Sequence, residues 1–111
     1  MITQNVDLEV IPGKMIPVIK VNQGDTGTGR FMFNLKKNGQ PLRYSGTAII
    51  QGTKKTGNFH HSASILGDRV LVTLTEDMTD VAGDVFAQLV LTDGNERVGT
   101  QIFILRAQES A

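Results

Sequence analysis

The chain has no cysteine and no tryptophan, a single tyrosine, and a formal net charge of zero over its 111 residues. Without cysteine, neither a disulfide framework nor a cysteine-based zinc site can form. The eleven basic and eleven acidic residues cancel. Because nucleic-acid binding depends largely on basic clusters that release counterions, we expect no nucleic-acid partner.

Long hydrophobic runs are also missing. None approaches the roughly 20 residues that a membrane-spanning helix requires, and residues 1–10 lack the charged-then-apolar layout of a signal peptide. We therefore expect no membrane partner and folding in a cytoplasm. The apolar fraction of 40% over 111 residues is enough for one core, so residues 1–111 are predicted to form a single domain.

The hydrophobic pattern that is present has a period of two. Val6, Leu8 and Val10 alternate with acidic residues, and similar alternation recurs along the chain. Side chains on a strand point to opposite faces in turn, so these stretches predict strands with one face in a core. Asn38-Gly39 and Asp93-Gly94 favour tight hairpin turns between them. The predicted strands lie near residues 3–10, 16–22, 29–37, 46–54, 59–65, 69–75, 84–92 and 97–106.

About eight short strands in so short a chain predict an all-β fold, a single antiparallel β-sandwich of the immunoglobulin-like or jelly-roll-like kind. Residues 75–83 depart from the alternation. Thr75 is a candidate N-cap, Glu76 and Asp77 would lie in the first turn, and Gly83 would end it. This pattern predicts one short helical turn near residues 76–82.

The glycine-rich segment 24–29 is the first candidate for chemistry. A phosphate-binding loop leads into a helix, whose N-terminal amides face the anion. Here a strand beginning with Arg30 follows instead, and no Gly-Lys-Ser/Thr ending is present. The segment is interpreted as a loop between strands, and no cofactor is expected.

Histidines and acids offer no metal site. His60 and His61 are adjacent on a predicted strand and therefore point to opposite faces, so they cannot readily bind one ion together. His61 is expected to be partly buried and hydrogen-bonded. Asp77, Asp80 and Asp84 lack the spacing of a calcium-binding EF-hand. They are interpreted as belonging to a helix start and a solvated turn.

Catalysis has no support in the sequence either. No Gly-x-Ser-x-Gly motif is present to position a nucleophile. We assign no catalytic residue and expect a protein that is not an enzyme. Sugar-binding sites commonly stack sugars on aromatic rings, and Tyr44 is the one aromatic residue that looks exposed.

The last two predicted strands are apolar on both faces. Phe86 and Val90 lie on the face opposite the main apolar residues of 84–92, and Phe103 and Leu105 do so in 97–106. Such strands are covered on both sides within the domain or covered by a partner, and the sequence leaves both alternatives open. Phe86, Val90, Phe103 and Leu105 are therefore the candidate protein-binding residues.

Several short stretches occur in an order typical of a known family. They are VNQGD at 21–25, FNL at 33–35, NGQPL at 38–42, SGTA at 45–48, VTL at 72–74, VAGDV at 81–85, LTDG at 91–94 and RVGTQIF at 97–103. In this order and spacing, across residues 6–106, the chain resembles the N-terminal domain of the phage baseplate upper protein family. Members of this family are tail proteins of phages that infect Gram-positive bacteria.

The resemblance implies a non-enzymatic virion structural protein that anchors a receptor-binding appendage to the tail baseplate through protein–protein contacts. It implies other phage tail and baseplate proteins as partners, a homo-oligomer that is trimeric in the full-length context, and a place in the virion tail after assembly in the host cytoplasm. The chain is expected to be the N-terminal anchoring module of a longer tail protein. The alternative is a glycan- or cell-surface-binding β-sandwich adhesin domain.

Overall fold

A computed structural model describes residues 2–10, 16–22, 29–55, 57–80 and 82–108. The turn at Pro12-Gly13 and residues 24–28 of the glycine-rich segment lie outside these residues. Within them the chain forms ten strands and one helix. In chain order these are β1 (Ile2–Glu9), β2 (Val18–Asn22), β3 (Gly29–Lys37), β4 (Gln40–Pro41), β5 (Thr47–Lys54), β6 (Gly57–Leu66), β7 (Arg69–Thr73), α1 (Glu76–Thr79), β8 (Gly83–Asp93), β9 (Glu96–Gly99) and β10 (Phe103–Gln108).

The prediction of an all-β fold with one short helical turn is confirmed. The turn between β3 and β4 has the expected chemistry, because Asn38 and Gly39 both have positive φ angles, 52° and 79°. A two-residue hairpin turn of this kind needs such angles at both positions. The strands form one sheet in the order β1-β3-β7-β6-β5-β8-β10-β2, with β4 beside β3 and β9 beside β8.

The sheet curls at β6, so that its two halves face each other. Residues 57–63 of β6 pair with β5, whereas residues 64–66 pair with β7. We call β1, β3, β4 and β7 the first half, and β5, β8, β9, β10 and β2 the second half. Phe33 of the first half meets Phe103 of the second, with ring centroids 4.7 Å apart, and the core lies between the halves.

The sheet is mixed, not antiparallel throughout. β1 pairs with β3 in parallel, and β2 pairs with β10 in parallel, while the other pairings are antiparallel. β1 and β2 are thus added to opposite ends of the curled sheet. Alternation of side chains reports which face is buried but carries no information on strand direction, which is why the sequence predicted an antiparallel sandwich.

A β-bulge interrupts the strand predicted at 97–106. Gly99 pairs with Val90 and Phe103 pairs with Ala87, so the three residues 100–102 lie opposite the two residues 88–89. An inserted residue of this kind shifts the alternation by one position. Val98, before the bulge, packs against the core, and so do Phe103 and Leu105 after it.

Candidate functional site

The structure does not bring the four candidate protein-binding residues together on one surface. Phe103 and Leu105 are 0% exposed, Val90 is 4% exposed, and Phe86 is 53% exposed. The bulge turns Phe103 and Leu105 into the core, where the two halves of the sheet cover them. For these two residues, burial within the domain is therefore the alternative that the structure supports.

Val90 and Phe86 both lie on the outer side of β8, because Val85, Ala87, Leu89 and Leu91 are the core residues of that strand. Val90 is flanked in the adjacent strands by Ile49 and Gly99 and is nearly inaccessible. Phe86 thus remains as the exposed member of the predicted set.

Further apolar residues surround Phe86 on the outer side of the second half. In register, Val18 of β2 lies beside Ile104 of β10, which lies beside Phe86 of β8. Val18, Phe86 and the bulge residue Ile102 are exposed, and Ile104 is half-buried. We call Val18, Phe86, Ile102 and Ile104 the outer apolar strip. Leu66, by comparison, is an exposed apolar residue that lies at the end of β6, where that strand pairs with the first half.

A groove of about 410 Å³ adjoins this strip. Phe86 and Ile102 belong to both features. The other residues that line the groove are Ile49, Gln51, Gly52, Thr53, Asn58, Phe59, His60, Ala87 and Gln88. The groove therefore combines an exposed aromatic ring and aliphatic side chains with amides and an imidazole.

Two cations lie on the same outer face of the second half as the groove, outside its lining. Lys20 lies on β2 beside Arg106, and Arg97 lies on β9 beside Thr92. Arg106 itself forms a two-point ion pair with Asp84, with N–O distances of 2.8 and 3.2 Å. Hydrogen bonding from Arg106 lowers the pKa of Asp84. Within the described ranges no carboxylate forms an ion pair with Lys20 or Arg97, so this face carries an excess of positive charge.

The predicted role of His61 is confirmed. Its ring stacks on Phe59, with centroids 6.0 Å apart, and its Nε2 lies 2.8 and 2.7 Å from the two carboxylate oxygens of Asp77. The Thr75 hydroxyl donates to the same carboxylate. Partial burial alone would raise the pKa of Asp77, but these hydrogen bonds and the charges of His61 and Lys54 lower it. The cluster fixes α1 against β6.

The acidic residues of this region do not converge on one point. Lys54 binds Asp80 at 2.6 Å, whereas Asp77 binds His61 and Asp84 binds Arg106. Among the described residues no group of three or more histidine, aspartate or glutamate side chains is placed to hold a metal ion. No described helix is both long and apolar enough to cross a membrane.

Tyr44, the aromatic residue that the glycan-binding alternative depends on, is half-buried and packs against the core. Within the described chain, the aromatic ring that is exposed belongs to Phe86. Tyr44 therefore offers little of the open ring on which a sugar would stack.

The fold is that of an all-β domain, and its surface carries the outer apolar strip beside a groove. The sequence matches the family model of the BppU N-terminal domain over residues 2–111, and the chain belongs to that family, as the resemblance indicated. BppU N-terminal domains are structural domains of the phage baseplate, which places this domain in the virion tail, among other phage structural proteins.

The fold is shared with a solved structure, the N-terminal domain of phage TP901-1 ORF48. The two are similar with a TM-score of 0.72 and 12% sequence identity, over 97% of this chain and 99% of that one. A comparison with curated proteins returns no match. The likeness at such low identity is a likeness of fold, and the family match carries the functional assignment.

Proposed function

We propose that this domain anchors a receptor-binding appendage to the tail baseplate, and that it does so through protein–protein contacts made by the outer apolar strip. The observation that carries the proposal is the 53% exposure of Phe86 in a row with Val18 and Ile104, on a domain of a baseplate family. Contiguous exposed apolar residues mark interaction surfaces on soluble domains.

A partner that covered Phe86 would remove its exposed apolar surface from water, which is favourable. Aromatic residues are enriched at the centres of protein interfaces, where a few side chains account for most of the binding energy. Phe86 has flanking aliphatic neighbours that would pack around a partner and exclude water. It is the candidate for the central contact, with Val18, Ile102 and Ile104 as its surroundings.

The arrangement of the titratable side chains at α1 favours a role without catalysis. The titratable side chains that the structure brings together at α1 act as ion pairs and hydrogen-bond partners that hold the helix on the sheet. The structural relative is described as the N-terminal domain of its protein. By analogy, we propose that this domain is the anchoring module of a longer, oligomeric tail protein.

The test is a pull-down of the other tail proteins of the same phage with the purified domain. Phe86→Ser should reduce capture at least about tenfold, the effect of losing a central interface residue. Leu66→Ser is the matched control, because Leu66 is equally exposed, at 53%, but lies outside the strip. Both variants should unfold at nearly the parent temperature, since each replaces an exposed side chain.

Two results would contradict the proposal. One is failure of the parent domain to capture any tail protein while it remains folded. The other is equal capture by Phe86→Ser and Leu66→Ser, which would show that the strip is not the contact.

A further inference from the structure

The groove beside the outer apolar strip has a shape and lining of its own. Its volume of about 410 Å³ lies within the range of sites that enclose a small ligand or a few side chains. Phe86 and Ile102 are the most exposed of its apolar residues, which also include Ile49, Phe59 and Ala87. A folded protein face that covered only the strip would leave this groove to water, whereas a segment that enters the groove would also contact its lining.

The polar part of the lining matches peptide groups. Gln51, Asn58, His60 and Gln88 line the groove, and amide and imidazole side chains can both donate and accept hydrogen bonds. A peptide bond likewise offers one donor and one acceptor. Gln88 is already held in place, because its Nε2 donates to the carbonyl oxygen of Thr100 at 2.7 Å. The amide of Gln51 lies 3.5 Å from the Gln88 side-chain oxygen.

The unpaired charges on the outer face around the groove are of one sign. Lys20, on β2 two strands from β8, and Arg97, on β9, lie on this face. Within the described chain they pair with no carboxylate. A segment that ran obliquely from β2 past Phe86 and Ile102 to β9 would pass both cations. Carboxylates in such a segment would gain from this field, and the gain would fall with added salt.

From these features we infer that the groove binds an extended, acidic segment of a partner tail protein, with one large apolar side chain seated against Phe86 and Ile102. The inference rests on the proposed function, because it takes the partner to be another protein of the tail. It adds the chemistry of that partner: a peptide segment with an apolar anchor and flanking carboxylates.

A sugar is the competing occupant, and the lining favours it less. Sugar rings stack on flat aromatic faces, and the exposed rings of the groove are those of Phe86 and, smaller and more polar, His60. Beyond Phe86 the surface continues as the aliphatic side chains of Val18 and Ile104, which suit an apolar side chain better than a hydroxylated ring.

The experiment uses an array of overlapping 15-residue peptides that covers every tail protein of the phage. Bound peptides are resynthesised with a fluorophore and titrated with the domain by fluorescence anisotropy. We expect the bound peptides to share an aromatic or aliphatic residue with nearby aspartate or glutamate. Phe86→Ser should weaken their binding at least about tenfold, and Leu66→Ser should leave it unchanged.

Charge reversal tests whether the bound segment is acidic. Lys20→Glu and Arg97→Glu should each weaken peptide binding by several-fold at low ionic strength, with a smaller effect at high salt. Lys37→Glu is the control, because Lys37 is an exposed cation on β3, in the first half of the sheet.

Three outcomes would overturn the inference. If no peptide binds while capture of an intact tail protein still depends on Phe86, the partner is a folded surface, and the proposed function stands without this inference. If bound peptides carry no acidic residues, or charge reversal leaves their affinity unchanged, the assigned chemistry is wrong. Binding on a glycan array that Phe86→Ser abolishes would assign the groove to a sugar.

Discussion

Gln101 holds Glu9 with two hydrogen bonds, although the two residues are 92 positions apart. The backbone N–H of Glu9 donates to Oε1 of Gln101 at 2.9 Å, and the backbone N–H of Gln101 donates to the carbonyl oxygen of Glu9 at 2.8 Å. The carboxylate of Glu9 in turn accepts from the backbone N–H groups of Asn38 and Gly39, each at 2.9 Å. The bulge of the second half is thereby joined to the end of β1 and to the β3–β4 turn in the first half.

Gln101→Ala should therefore destabilise the domain. The substitution leaves the Glu9 N–H without its partner in a part-buried position, which costs about 1 to 3 kcal/mol. The measurement is urea unfolding followed by circular dichroism. Gln108→Ala is the control, because Gln108 lies exposed at the end of β10. Equal unfolding midpoints for the two variants would show that the Glu9 contact contributes nothing to stability.

Thr100→Val tests the bulge itself. The buried hydroxyl of Thr100 accepts a hydrogen bond from the backbone N–H of Leu89 at 3.1 Å, and valine keeps the shape but removes the acceptor. An unsatisfied buried N–H costs about 1 to 3 kcal/mol. Thermal unfolding should show a lower midpoint than that of Thr73→Val, an exposed position on β7. No difference between the two would mean that the bulge does not need this hydroxyl.

The local patterns of the sequence were enough to predict most of the strands. The alternation around Phe31, Phe33 and Leu35 gave the buried face of β3 correctly, and Asn38-Gly39 gave the following turn. The start of the short helix followed from Thr75, which takes the N-cap position without a side-chain cap hydrogen bond, and from the acids after it. The helix ends at Thr79, earlier than predicted, and Gly83 begins β8. In each case the information lies within a few residues of the element that it determines.

Strand direction and the bulge depend on contacts between distant residues. β1 pairs with β3 in parallel. The alternation of apolar residues predicts the buried face of each strand, but it does not predict the direction in which two strands pair. The bulge depends on Thr100 and Gln101, whose side chains satisfy backbone groups of Leu89 and Glu9. One unbroken alternation through residues 97–106 predicts Val98 and Ile104 on the same face, whereas the bulge puts them on opposite faces.

Part of the candidate site could be predicted from local sequence, and part depends on contacts between distant strands. Phe86 stood out because it interrupts the polar face of an otherwise regular strand, and it is exposed. The groove was not predicted from the sequence, because its lining residues come from β5, β6, β8 and the bulge. Only the register of three neighbouring strands places Gln51, His60 and Gln88 side by side.

Gly52 and Phe59 offer a test of core packing at the edge of the groove. The two residues are paired across β5 and β6, and a Cβ on Gly52 would lie 2.5 Å from the Phe59 ring. Gly52→Ala should therefore cost about 1 to 3 kcal/mol, as overpacked substitutions do. Combined with Phe59→Leu, which removes the clashing ring atoms, the alanine should cost less than it does alone. Additive losses in this double-mutant cycle, measured by urea unfolding, would contradict the close approach of the two residues.

The Asp77 cluster predicts how stability depends on pH. The pKa of Asp77 is lowered in the folded domain, so folding favours its charged form. The resulting stabilisation is fully present above the unfolded-state pKa of about 3.9 and is lost as the pH falls through the lower folded-state pKa. Asp77→Asn should therefore reduce the fall in unfolding free energy between about pH 4 and pH 2.

Glu76→Gln provides the matched control for this measurement, because Glu76 is an exposed acid in the same helical turn. Replacing it removes one carboxylate from α1 without touching the contact between Asp77 and His61. The parent and Glu76→Gln curves should therefore run parallel in acid, while the Asp77→Asn curve is flatter. A curve for Asp77→Asn that is as steep as that of Glu76→Gln would mean that the contact with His61 and Thr75 gives no pH-dependent stability, and that α1 is held on the sheet by the burial of Met78 and by Lys54.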